Sequence, residues 1–221
     1  HENISKLLIK RINDDFDGQL DLALQIFNNQ YEKRFLYQLI SGQLDLDRLD
    51  YLNRDSFFSG VTEGMVSSDR IIKLLNIKDG QIVVEEKGIY SIEKFLIARR
   101  LMYWQVYYHK TVIAAEQMLV KIFDRARELA LSGTVLFATP AFEHFLYNTI
   151  SKNDFLESAA HLNNFVKLDD NDVMASIKLW CNHPDFILSK LCHNLIERHL
   201  YKVEISIEEI EKHRLDDLTT K

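Results

Sequence analysis

The chain has 221 residues, 47% of them hydrophobic, and a formal net charge of −6. That length suits one domain, or a domain with a small appended lobe, and can bury a substantial core. The acidic balance excludes a general DNA- or RNA-binding surface, and seven glycines with two prolines are too few for an all-β sandwich.

In chain order, "HENISKLLIKRI" places Ile4, Leu7, Leu8 and Ile12 at helical spacing and predicts an amphipathic helix that "NDDFDG" breaks. "QLDLALQIF" and "EKRFLYQLIS" predict two further helices, and Ser41 to Gly60 a fourth. β-branched residues around a Glu-Lys-Gly turn predict a short hairpin over Ile82 to Tyr90. Helical periodicity then runs from Ile92 to Leu131 almost without a breaker. Thr139-Pro140 reads as a helix start, with Phe142, Phe145 and Leu146 on its apolar face. Asp170 or Asn171 caps the helix "DVMASIKLW", and Pro184 begins another that runs through Leu200. "KVEIS" suggests a short strand, and Ser206 with Glu209 has capping-box spacing for a last charged helix.

Two cysteines, Cys181 and Cys192, cannot form a disulfide framework, so reduced thiols are expected. No apolar run reaches the roughly 18 residues of a membrane span, and no signal peptide stands out, so a cytoplasmic protein is expected. The chain opens on His1 rather than Met, which predicts a segment lost upstream.

The stretch "SGQLDLDRLDYLNRDSFFSG" holds four aspartates and two arginines among large apolar residues. At about 100° per residue, Asp47, Tyr51 and Asp55 line one helix face, Arg48 and Arg54 flank it, and Leu49 and Leu52 point toward a core. One reading is a solvated face of i, i+4 ion pairs. The other is the lining of a cleft, where carboxylates beside apolar groups need a cation or a hydrogen-bonding substrate.

"LDLDRLDYLNRD" resembles the final segment of the HD-domain phosphohydrolases, and the branch it is most similar to is the deoxynucleoside triphosphate triphosphohydrolases. The family's Asp-Lys/Arg-x-Asp-Tyr-x-x-x-Asp pattern falls on Asp47, Arg48, Asp50, Tyr51 and Asp55. The resemblance implies that Asp47 is a metal ligand, Arg48 contacts phosphates, Tyr51 packs beside the sugar and Asp55 accepts from its 3′-hydroxyl. "ARRLMYWQVYYHKT" resembles a second family string, which makes Arg99 a phosphate clamp and Tyr107 a base-side wall. Core packing is the alternative for Tyr103, Trp104, Tyr107 and Tyr108, and it is the preferred reading for Trp104. His1-Glu2 is similar to a family His-Glu pair, with His1 implied to protonate the leaving oxygen. His109 and Lys110 are implied at a nucleotide-filled interface of a homo-dimer or higher oligomer.

The implied fold is mostly α: the C-terminal portion of an HD-domain-like helical bundle, with a short β-hairpin and a small α+β C-terminal lobe. Residues 1–165 would be the helical part of the domain after its His-Asp segment, and residues 166–221 the lobe. An HD site needs two histidines and two aspartates around a divalent ion (Mn, Mg, Fe, Ni or Zn), yet no His-Asp dipeptide occurs here. Only Asp47 of the four ligands is present, so this chain alone is expected to be metal-poor and inactive. The whole protein is expected to hydrolyse a nucleotide, most simply a deoxynucleoside triphosphate into nucleoside and triphosphate. A non-catalytic nucleotide sensor and an HD enzyme acting on another phosphate ester are the alternatives. "NDDFDG" lacks the closing glutamate of an EF-hand, and the Cys181, His183, Cys192 and His193 spacing matches no common zinc finger.

Overall fold

The computed structural model describes residues 2–206. The first helices are α1 (Glu2–Asp15), α2 (Asp21–Phe27), α3 (Arg34–Ser41), α4 (Leu46–Ser59) and α5 (Ser68–Lys73). A two-stranded antiparallel hairpin follows, β1 (Leu75–Lys78) and β2 (Gln81–Val84). Then come α6 (Ile89–Met102), a π-turn at Tyr103–Tyr107 and the long α7 (Lys110–Leu131). The chain continues through α8 (Pro140–Leu146), α9 (Asp154–Glu157), α10 (Ala159–Lys167), α11 (Asp170–Trp180) and α12 (Phe186–Ile196). The fold is mostly α with one small hairpin, as the sequence predicts.

Local chemistry explains most of these boundaries. The break after α1 is built around buried Asn13, whose side chain donates to Asp21 at 2.8 Å and accepts from the Leu20 N–H at 2.6 Å. The Asp45 carboxylate accepts from the Arg48 N–H at 2.8 Å and caps α4, and Gly60 ends that helix with a left-handed φ of 73°. Leu49 and Leu52 face inward from it, 3% and 0% exposed.

Several boundaries differ from the sequence expectation. The hairpin lies over Leu75–Val84 rather than Ile82–Tyr90, because its turn is Asp79-Gly80, both at positive φ. Glu86 to Gly88, predicted as the turn, form a 3₁₀ turn leading into α6. The helix predicted over Ile92–Leu131 is split by the π-turn, where the Tyr108 N–H reaches the Tyr103 carbonyl five residues back at 2.8 Å. His109 then runs extended and its Nδ1 accepts from the Thr111 N–H at 3.3 Å, restarting the helix as α7. The cap of α11 is Asp169, in a reciprocal capping box with Asp172, not Asp170 or Asn171. α12 starts at Phe186 under an Asp185 cap and stops at Ile196. Lys202 to Ser206 form no strand, and the helix predicted after Ser206 lies outside the described residues.

Two apolar cores result. One packs Leu49 and Leu52 of α4, Ile71 of α5, and Phe95, Ala98 and Met102 of α6. The other joins Ile122, Ala126 and Ala130 of α7 to Phe142, Ile177, Trp180, Leu188 and Cys192 from α8, α11 and α12. Burial pushes the Cys192 thiol up to about 12, as befits a small core residue. Among the described residues no helix is long and apolar enough to cross a membrane.

Candidate functional site

The first core fixes α4 against α6, and their outer faces bring four of the implied site residues together. Tyr51 and Asp55 project from α4, Arg99 from α6 and Tyr107 from the π-turn. The Tyr107 hydroxyl donates to Asp55 Oδ2 at 2.7 Å. The Tyr51 and Tyr107 rings meet edge to face, centroids 6.1 Å apart.

Tyr103 completes the group. Its ring lies 5.1 Å from that of Tyr107, and the Arg99 guanidinium sits over it at 5.8 Å. Sequence reasoning offered only core packing or the resemblance for these aromatics and gave Tyr103 no role. The spacing of Arg99, Tyr103 and Tyr107, four residues apart, held the clue. Trp104 is 60% exposed and stacks beneath Arg100 at 4.6 Å, so the core-packing preference for it is overturned.

The electrostatics follow from this crowding. Burial pushes the Tyr107 phenol well above its ordinary value, and the hydrogen bond and negative charge of Asp55 push it further. Burial also raises the Tyr51 phenol, helped by Tyr103, while Arg99 and Arg48 pull it back. Both hydroxyls therefore stay protonated near neutral pH, with Tyr107 donating to Asp55 and Tyr51 held beside Arg99.

The other implied residues are placed differently. Arg48 is tied back to the Gly42 carbonyl and to the cap carboxylate of Asp45. Asp47, in the first turn of α4, is exposed. His109 and Lys110 are exposed at the start of α7, and Glu2 is exposed at the start of α1. His1 lies outside the described residues. Arg54 pairs with Asp50 at 2.8 Å on the solvent face, so part of α4 is a solvated face of i, i+4 ion pairs. Among the described residues no three His, Cys, Asp or Glu side chains gather as metal ligands, so these residues by themselves do not fit a divalent ion.

Residues 66–136 match the family described as the HD associated region. The chain is 55% identical to a phosphohydrolase of known crystal structure from Bacteroides thetaiotaomicron, with a TM-score of 0.95 over 98% of this chain and 54% of that one. It is 34% identical over 178 residues to the uncharacterized protein YwfO of Bacillus subtilis, covering 80% of this chain and 39% of that protein. It is 26% identical over 138 residues to the deoxynucleoside triphosphate triphosphohydrolase SAMHD1 homolog of Dictyostelium discoideum, covering 57% of this chain and 27% of that protein. The chain thus spans about half the length of the structural relative, and less of the other two. Together these matches support the HD superfamily as the family of this chain.

Proposed function

We propose that the whole protein is a metal-dependent HD phosphohydrolase acting on a nucleotide, most simply a deoxynucleoside triphosphate cleaved to nucleoside and triphosphate. The observation that carries this reading is the junction of α4 and the π-turn, where Arg99, Tyr51, Tyr107 and Asp55 share one surface. A guanidinium beside two phenols and a carboxylate is a chemically mixed surface. It offers a donor fork to phosphate, aromatic faces to a sugar and base, and an acceptor to a sugar hydroxyl.

Each group has a distinct part in the reading. Arg99, propped over Tyr103, presents a fork that donates to phosphate oxygens and absorbs negative charge as it grows. Tyr107 occupies Asp55 Oδ2 and so fixes the carboxylate, leaving its second oxygen to accept from a sugar hydroxyl. Tyr51 flanks the same sugar. Arg48, once released from Gly42, would add a second phosphate contact. His1 would protonate the leaving oxygen. Asp47 would be the one ligand that this chain offers to a divalent ion, with the remaining ligands supplied from outside it. His109 and Lys110 stand exposed where a second copy could meet them in a homo-oligomer.

The test is the whole protein, supplied with manganese and a panel of nucleotides, with products separated as triphosphate or stepwise orthophosphate. Triphosphate as the first product is expected. Asp47→Ala should abolish turnover and Asp55→Ala should chiefly weaken sugar recognition. Orthophosphate as the first product removes the triphosphohydrolase assignment, and full turnover by Asp47→Ala removes the site.

A further inference from the structure

A polar pocket of ≈ 550 Å³ opens between α3, the start of α4 and β2. Two guanidinium groups line it, Arg34 from the first turn of α3 and Arg48 from α4, together with the neutral donors Asn29, Tyr37, Ser41 and Gln43. No carboxylate is among its lining residues, although the chain as a whole carries a net charge of −6. In a chain of that net charge, a concave region with two arginines and no acid in its walls is a local inversion of charge. Asp45, which pairs with Arg48 at the edge, offsets one of the two positive charges.

The pocket is also braced. The Gln38 side chain donates to Gln81 Oε1 at 2.6 Å and accepts from the Ile82 N–H at 2.8 Å, locking α3 onto β2. Arg48 is anchored on the Gly42 carbonyl and on Asp45, which fixes the opposite wall. Arg34 makes no ion pair among the described residues, so its fork remains available. A guanidinium unpaired among the described residues, a second one anchored on Asp45, and surrounding hydroxyl and amide groups match the tetrahedrally arranged oxygens of a phosphate group, which chiefly need donors.

We propose that this pocket is an oxyanion site that takes a phosphate group, centred on Arg34 and adjoining the Arg99 surface through Arg48. The phosphate comes either as free inorganic phosphate or as the polyphosphate tail of a nucleotide. The inference goes beyond the functional reading above in adding Arg34, which has no part in the proposed chemistry, and it shares Arg48 with that reading.

Calorimetric titration of the whole protein carrying Arg99→Ala tests it, since that change removes the clamp assigned to the other surface. One arm uses inorganic phosphate and the other a deoxynucleoside triphosphate, each with and without Arg34→Gln. Arg34→Gln should weaken binding about tenfold or more, the scale of a lost charge-assisted contact, and Arg34→Lys should recover part of it. Weakening in the phosphate arm assigns free phosphate, and weakening confined to the nucleotide arm assigns the tail. Equal titrations with and without Arg34→Gln in both arms overturn the site, as does a lack of heat in both arms with Arg34 intact. Because Arg34 is exposed, the melting temperature should stay unchanged, which separates lost binding from lost folding. Full turnover by Arg99→Ala alone would remove the functional reading and leave this pocket standing.

Discussion

Tyr107 shows how one side chain can serve both the fold and the proposed chemistry. Its hydroxyl is half-buried and spends its proton on Asp55, so the phenol titrates above its ordinary value. A group whose folded pKa is raised contributes stability that is complete below its unfolded value, about 10 for tyrosine, and that is lost as pH climbs toward the folded value. Tyr51 and Cys192 shift in the same direction. The urea midpoint should therefore fall steeply above about pH 9–10. Tyr107→Phe should flatten that fall while costing about 1 kcal/mol near neutrality, the worth of one hydrogen bond. An identical alkaline slope in the variant would remove Tyr107 from the account. Asp185 behaves oppositely. The Arg125 fork, at 3.1 and 2.5 Å, holds its carboxyl down to about 2, so its stabilisation is present above about pH 4 and is lost toward pH 2. Asp185→Ala should cost about 1–2 kcal/mol as a lost helix cap and weaken the acid dependence, both read from denaturation curves between pH 2 and 6.

At the level of elements, the site depends on how closely α6 approaches α4 and the turn that follows it. Gly64 sits where an added Cβ would stand 2.5 Å from Met102 Sδ and 3.0 Å from Ser56 Cβ. Gly64→Ala should destabilise by about 1–3 kcal/mol through overpacking, measured as a drop in melting temperature. It should also loosen the tyrosine cluster that this approach supports. The helices themselves were legible in the sequence, because apolar spacing and caps such as Asp45 and Gly60 are local signals. The hairpin register was not, because β-branched Ile82, Val83 and Val84 were given a turn on their C-terminal side while Asp79-Gly80 stood on the other. The π-turn was equally hidden. "YWQVY" carries no Gly or Pro to mark the turn, and the contacts of Tyr107 with α4 are long-range ones. The π-turn sets Tyr103 and Tyr107 beside Arg99, and it is why Tyr103 escaped a reading based on regular periodicity.

Across the whole molecule, the α4 residues of the site were legible because their motif is contiguous, whereas their contacts with Arg99 and Tyr107 depend on helices about fifty residues apart. Asp47 is exposed, and among the described residues no set of three metal-ligating side chains gathers. Arg99 and its tyrosine neighbours are the proposed substrate face of an HD phosphohydrolase. The most direct measurement is product analysis of deoxynucleoside triphosphate hydrolysis by the whole protein, wild type against Arg99→Ala. Triphosphate is expected as the first product, with the rate reduced about a hundredfold or more in the variant, as for a lost contact to transition-state charge. Equal rates in the two proteins, or orthophosphate released first, would contradict this assignment.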